Sequence, residues 1–483
     1  MADEAVDGVD VVEADGTTAA EEVAVVRRPR REPAEGSRAL AFVKAAVFPV
    51  LLVAVCSAAI GLHMRAYTKI SPIDELQYSD YVISLANGRG IVDKGDYYTK
   101  EFRAEVACRG FELKINVGRC GHPSTNKDYP FGGFNSAFIH TPAYFLPTTA
   151  VAVVLHSAFG TSYITGARAA GAIWLSLATL LLYWHFGTVG LRRGSRFAIA
   201  VLPVVMPGIL FYTATVSIDM PVLLMGSLVA VSVDRVVARR SRWWILPLVA
   251  ATVIIFKVTN VLAVVAGALV LLLSLRQGSE DPGEGAWWPK LVDDEWRQAR
   301  RQRLTAVVAM GVAAVTVAVA WMVVIRLRAV EPGATPLDDQ FFIKSLGPAQ
   351  FWSEISSGVW MGWVTGIYVP ESWVAAWYSL AGIMLTSVSI LPIFASGRQR
   401  RPAVTFGTAA LTSLLLSGPL FVVVNFVLSH AWVPIPPRYA ASVIPFGLVG
   451  MAHLTRTASK DRLVQGAAAV GLLGIFTTLL AVG

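Results

Sequence analysis

Charge is scarce in this chain. Acidic and basic residues fill 15% of the 483 positions and hydrophobic residues 55%, whereas an ordinary soluble domain is roughly 25% charged. That excludes a soluble globular fold. Cysteine is nearly absent at three residues, too few for a disulfide scaffold and without the paired spacing of a zinc site. There is no Walker loop and no nucleophile elbow, so neither a glycine-rich phosphate cradle nor triad hydrolase chemistry is encoded. No internal repeat is visible, nor a matched pair of interrupted apolar segments of the kind that marks transporters built from inverted repeats. The formal charge of +8 is no nucleic-acid footprint either. Lys and Arg sit in short clusters between apolar runs, where they read as topology signals.

What fills the chain is apolar runs, each long enough at ~1.5 Å per residue to cross a hydrocarbon core of ~30 Å. Basic clusters at 27–31, 192–196, 235–242, 276–303, 398–401 and 456–462 all belong on the cytoplasmic side by the positive-inside rule. Spans at about 40–62, 163–186, 197–216, 219–236, 243–257, 259–275, 304–327, 373–394, 404–428, 438–455 and 463–482 achieve that with eleven crossings. The expectation is an all-α polytopic protein of the plasma membrane, with about 11 transmembrane helices over 40–483 and surrounding membrane lipid as its solvent. Its N-terminus is cytoplasmic and its C-terminus extracytoplasmic. The stretch 140–160 is apolar too, but counting it as a span would move every later basic cluster to the wrong side. Pro142 and Pro147 should break its first turns, so it reads as an interfacial or re-entrant helix. A long first outer loop then covers 63–162, a second outer loop 328–372, and a cytoplasmic loop 276–303. Residues 1–39 have too few large apolar side chains for a core and read as a disordered cytoplasmic tail. The run from Leu40 lies too far from Met1 for a signal peptide and reads as an uncleaved anchor.

On this threading the outer surface receives Asp74, Glu75, Asp80, Asp219, Lys257, Asn260, Asp338, Asp339, His430, Arg438 and Tyr439. Most of the chemistry-bearing residues have two readings. Asp74, two residues after Pro72, is either the N-cap of a helix beginning near Glu75 or a carboxylate at a half-dry edge, suited to act as a general base or metal ligand. Asp219, two residues before Pro221, is either a helix cap or a site acid. Lys257, between two apolar runs, either snorkels to the surface or has a buried partner. Arg168, near the outer end of its span, either snorkels or faces the bundle. Arg438 follows two prolines that stiffen it for bidentate phosphate contact, or it meets lipid headgroups. Cys108 and Cys120 share an oxidising loop and should pair, while Cys56 lies inside a span. His140 and His156 flank the 140–160 stretch at a spacing that is no metal signature.

In their order these pieces resemble the membrane glycosyltransferases of the GT-C superfamily, which includes protein O-mannosyltransferases and lipid A aminoarabinose transferases. The likeness is carried by "IDE" at 73–75 after the first span, "ANGRG" at 86–90, "HTPAYF" at 140–145, "FGTSYITGAR" ending at Arg168, Asp219 opening a span, and Arg438-Tyr439 followed by Pro445, over roughly 40–450. It departs at Thr141, where the family has a second proline, and at "FKVTN", which only approximates the family's lysine segment. No soluble domain follows the last span, which argues against acceptor recognition by a separate domain. The resemblance implies transfer of a sugar, with inversion, from a polyprenyl-phosphate donor on the outer leaflet to a glycan, lipid or protein acceptor of the cell envelope. It implies Asp74 as base, with Glu75 orienting it or binding a metal. Arg438, Arg168, Lys257 and Tyr439 would surround the donor phosphate, with Asp219 and His140 in support. Some family members use a divalent metal ion, whose ligands are not assignable here. Two other classes compete: a lipid-linked-sugar or polymer transporter or export component that uses the same cations without chemistry, and an assembly partner in which Asp74 and Glu75 are only caps.

Overall fold

A computed structural model describes residues 35–72, 74–112, 115–275, 293–330, 347–354, 390–395, 401–429, 436–455 and 458–482. Most of the expected tail, of the 276–303 and 328–372 loops and of the 373–394 span lies outside the described residues, as do Asp338, Asp339 and His430. The chain divides into two compact units, Met1–Ala46 and Val47–Gly483, and the second holds both cores and every site residue described below.

The described residues form helices α1 (Glu35–Ala66), α2 (Glu75–Ala86), α3 (Lys100–Arg109), α4 (Pro142–Phe159), α5 (Tyr163–Val189), α6 (Arg193–Val201), α7 (Pro207–Ala214), α8 (Val222–Val237), α9 (Ile245–Phe256), α10 (Val261–Ser274), α11 (Asp293–Arg328), α12 (Pro348–Ser353), α13 (Arg401–Ser429), α14 (Ile444–Leu454) and α15 (Ala458–Val482). A two-residue hairpin, β1 (Gly118–Arg119) against β2 (His122–Pro123), is the one strand pair among them. Among the described residues six helices are long and apolar enough to cross a membrane, namely α1, α4, α5, α11, α13 and α15, or seven if α6 and α7, bent by 69° at their junction, form one span. Pro203 and Pro207 account for the bend, since each removes a backbone donor there. α9 and α10 are apolar but shorter. On α11, Val308, Val312, Val315, Val319 and Met322 recur on one face and are exposed, a stripe suited to lipid rather than water. This is an all-α polytopic membrane architecture.

Among the described residues, two large cores lie in the second unit, beside a small cluster around Val422. The larger joins α5, α6, α8, α9, α10, α13 and α14. It depends on close backbone approach: a Cβ at Gly171 would fall 1.8 Å from the Thr213 carbonyl, and one at Gly226 would fall 2.1 Å from that of Ser442. Only glycine allows helices to meet at such distances in a membrane bundle. The second core is aromatic and belongs to the region between α1 and α5, where Tyr81 stacks on Phe145 at 3.9 Å over Phe102, Phe138 and Tyr144. Cys108 and Cys120 are disulfide-bonded there, tying α3 to the hairpin.

α4 is continuous through both prolines, contrary to the expected break. Pro142 occupies the first helical turn, where a missing N–H is harmless, and only Pro147 removes an internal bond. At its start, the Thr141 hydroxyl donates to the Ile255 carbonyl and Trp321 Nε1 to the Ile139 carbonyl at 2.9 Å. Just past its end, Arg109 donates to Ser162 Oγ at 2.9 Å and to the Thr68 carbonyl at 3.1 Å.

Candidate active site

The chain brings Asp74, Asp219, Lys257 and Arg438 into one continuous ionic row. Arg438 Nη2 donates to Asp74 Oδ2, its Nε lies 3.2 Å from Asp219 Oδ2, and Lys257 Nζ donates to Asp219 Oδ1. Two acids alternate with two bases, so the row is neutral. Side-chain exposure falls from 35% at Asp74 through 11% at Arg438 to 5% at Asp219 and 3% at Lys257. The row therefore runs inward from one accessible carboxylate.

Local structure explains each placement. Asp74 precedes α2 but makes no side-chain capping bond, and its φ of 61° is left-handed. Aspartate tolerates that region better than most residues, yet it is uncommon and concentrates at functional sites. Capping does not explain Asp74; its carboxylate turns to Arg438 and to Gln77 Nε2 at 2.9 Å. Asp219 sits in the turn between α7 and α8, where its backbone N–H donates to Ser217 Oγ at 3.1 Å, and its carboxylate meets the two cations with the Ser217 hydroxyl 3.4 Å from Oδ2. Lys257 ends α9 in extended conformation before a short 3-10 turn, Val258–Asn260. Its ammonium is buried against Asp219 and 4.4 Å from the Tyr439 ring centroid, so it does not snorkel. Arg438 and Tyr439 belong to a 3-10 turn, Pro437–Val443, seated on α8 where Gly226 meets Ser442. The guanidinium carbon lies 5.2 Å from the Tyr212 ring centroid and 5.6 Å from that of Tyr439.

Glu75 and Arg168 form a separate pair. Arg168 donates from Nε and Nη2 to the two oxygens of Glu75 at 2.7 Å each, and its remaining reach goes to the Tyr67 and Lys69 carbonyls at 2.7 and 2.6 Å. Glu75 also accepts from the Ser71 and Val216 amides at 2.7 and 2.8 Å. Both side chains are buried. This corrects the expectation that Arg168 surrounds a donor phosphate: its donors are spent on Glu75 and the backbone. The pair clamps the segment before Asp74 to α5 and to the turn that carries Asp219. Glu75 correspondingly faces Arg168 rather than the open end of the row.

His140 lies in the layer outside the row, with Nε2 3.0 Å from the Tyr78 hydroxyl. Burial, with Lys257 nearby, pushes its imidazole down to about 3, so it is neutral at physiological pH. Asp80, one turn along α2, accepts from the Thr99 amide and hydroxyl at 2.9 and 2.7 Å and from Asn135 at 2.7 Å. Burial raises its carboxyl to about 6, and those donors offset part of the rise.

Among the described residues no group of three or more His, Cys, Asp or Glu side chains is arranged to hold a metal ion, and Asp74 and Asp219 are each engaged by a cation. A second buried polar cluster is placed where no motif signalled one: Asp234 near the end of α8 lies 3.0 Å from His185 Nε2 of α5 and 3.1 Å from His453 Nε2 of α14. The signal available in sequence was an ionisable residue inside each of three apolar runs, His185, His453 and Asp234 beside Arg235.

No protein-family model matches the chain, and no curated protein matches it. Among solved structures, the crystal structure of ArnT from Cupriavidus metallidurans bound to undecaprenyl phosphate is similar at 17% identity and a TM-score of 0.46. That likeness covers 88% of this chain and 64% of ArnT, so the chain spans less than two thirds of that protein's length. A likeness at that TM-score carries no inference about chemistry.

Proposed function

We propose that this protein is an integral membrane glycosyltransferase that moves a sugar from a polyprenyl-phosphate donor to a hydroxyl or amine of a cell-envelope acceptor. The observation that carries the reading is the ionic row itself. Residues 74, 219, 257 and 438 come from four separate parts of the chain and meet with the acid outermost and the cations behind it. An acid that only capped α2 would need none of these partners.

In the proposed reaction an Asp74 carboxylate oxygen takes the acceptor proton as the acceptor atom attacks the anomeric carbon. The bond from that carbon to the phosphate oxygen breaks, and polyprenyl phosphate leaves with the bonding electron pair. Single displacement inverts the anomeric centre. Arg438 meets the departing phosphate, with Lys257 behind it, and Tyr439 packs against both cations. Asp219 holds the cations in register, and Glu75 with Arg168 fixes the backbone that aims Asp74. The placement of α4 against the outer layer, rather than across the membrane, is supported by its end contacts. Its first residues meet the last turns of α9 and α11, and just past its C-terminal end Arg109 of α3 bridges Ser162 and the Thr68 carbonyl that follows α1.

The test is transfer from a radiolabelled polyprenyl-phosphate sugar in proteoliposomes, with free polyprenyl phosphate measured as the second product. Asp74→Asn should cut turnover by about 10²-fold or more. Transfer at the parent rate would remove Asp74 from the chemistry. A transport reading gains from the Asp234, His185 and His453 cluster, which lies near the other end of α8, roughly 20 Å from Asp219 at ~1.5 Å per residue. Donor movement across the bilayer without cleavage would favour that reading.

A further inference from the structure

The end of α8 remote from Asp219 carries a second built feature. The helix closes with the Arg240 amide donating to the Arg235 carbonyl at 2.7 Å and the Arg239 amide to that of Val236 at 3.0 Å. This bonding pattern normally places glycine at the residue where the chain reverses. Here that residue is Arg239, at φ 56°, so a long cationic side chain stands where a glycine would form the turn with less strain. Beside it opens a cavity of about 360 Å³ lined by Arg239, Ser241, Arg242, Trp243, Trp244 and Gln302.

The lining suits one ligand chemistry. Arg239 shares its charge with Glu295 at 3.1 Å in a solvent-exposed pair, which is weak and readily exchanged. The Arg242 carbonyl accepts from the Ile245 amide at 3.3 Å, while its guanidinium has no hydrogen-bond or ion-pair partner among the described residues. Arg303 follows Gln302 and is buried, donating to the Ser274 carbonyl at 2.8 Å. The site therefore has an excess of guanidinium over carboxylate, and guanidinium groups match phosphate oxygens in pairs. Trp244 at the rim is 47% exposed, and Leu248 one turn into α9 is 59% exposed. The rim thus passes from cation to indole to aliphatic surface, the sequence met by a lipid between headgroup and acyl chains.

We propose that this cavity binds the phosphate headgroup of an anionic phospholipid in the leaflet opposite the Asp74 site, its acyl chains lying along α9. Arg239 and Arg242 hold the phosphate, and Trp243 and Trp244 flank the glycerol region. This inference stands apart from glycosyl transfer and survives the failure of that reading.

Native mass spectrometry of the delipidated full-length protein, titrated with phosphatidylglycerol or phosphatidylcholine, tests it. The parent should bind phosphatidylglycerol preferentially. Arg239→Gly preserves the turn while removing the guanidinium, and combined with Arg242→Gln it should weaken that binding at least about ten-fold. Arg192→Gln, in another basic cluster, should leave it unchanged. Equal binding of the two lipids, parent-like binding by the double variant, or an equal loss in Arg192→Gln would overturn the proposal. Displacement of the lipid by inorganic phosphate at the same concentration would overturn it too, by marking a site for free anions.

Discussion

Asp219 and Lys257 allow a sharp test of the ionic row because both are almost fully enclosed, at 5% and 3% side-chain exposure. Removing one member of such a pair strands a buried charge, at a cost of about 3–5 kcal/mol. Asp219→Asn should therefore destabilise the protein by roughly that much, since Lys257 keeps only the Tyr439 ring while Arg438 retains Asp74. Lys257→Met should fall in the same range, leaving Asp219 with Arg438 as its one remaining cation among the described residues. The double variant removes both charges, keeps similar volumes and leaves the Asp74–Arg438 pair balanced. It should lie within about 1–2 kcal/mol of the parent, a coupling of several kcal/mol between the two sites. Reversible unfolding in mixed micelles, with denaturing detergent titrated in, measures all four corners of the cycle. Sugar transfer should not recover with stability, since the double variant has lost a cation behind the phosphate. If the double variant is as unstable as the sum of the singles, the two residues are not the buried pair described here.

Glu75→Gln should destabilise by about 3–5 kcal/mol through the stranded Arg168, while the protein that does fold binds donor as the parent does; a loss confined to donor affinity, with stability intact, would return Arg168 to the phosphate site. Asp80 titrates higher in the folded protein, at about 6, than its ordinary value of 3.8, so its contribution to stability is fully present below about pH 4 and is lost as pH rises through 6. Hydrogen exchange of α2 should accordingly quicken from pH 4 to pH 6.5, after correction for intrinsic rates, and Asp80→Asn should remove that dependence. Single cysteines at Lys127 and Arg192 should be labelled from opposite sides of an intact membrane, and one at Phe159 from the Lys127 side. Labelling of Phe159 from the Arg192 side would make α4 a crossing.

The helical membrane class was legible because long apolar runs admit few other structures in lipid. Finer features were not. Run length alone does not reveal that α6 and α7 are bent by 69°, or that α9 and α10 stop at twelve and fourteen residues. The prolines of α4 misled because position within a helix decides whether proline breaks it. At the site, Asp74 and Arg438 stand 364 residues apart, and what joined them in sequence was a resemblance of motifs rather than any periodicity. Arg168 went astray for a related reason. Nothing local in "TGARAAG" records that Glu75 will take its guanidinium, because that pairing depends on the close packing of α5 against the end of α7, at Gly171 and Thr213, and on the Val216 amide just beyond it.

The neutrality of the row bears on how base and phosphate cradle would work together, and it makes Asp74→Asn informative beyond loss of rate. In the resting protein Arg438 is shared by Asp74 and Asp219, so an arriving phosphodiester competes with Asp74 for the guanidinium. In the proposed reaction Asp74 becomes neutral as it takes the acceptor proton, just as the leaving phosphate gains negative charge. Attraction that Arg438 gave to the base is then released to the leaving group, and Arg438 serves transition state better than ground state. Asp74→Asn abolishes the competition from the outset. It should bind donor at least as tightly as the parent while transferring sugar about 10²-fold more slowly. Arg438→Ala should lose donor binding and turnover together, and Arg438→Lys should not restore both, because an ammonium lacks the planar fork that reaches two carboxylates at once. Donor binding is measured by equilibrium retention of the labelled lipid on immobilised protein. An Asp74→Asn variant that binds donor markedly more weakly than the parent would show that Asp74 holds the donor rather than competing with it, and the exchange of Arg438 between base and phosphate would fall.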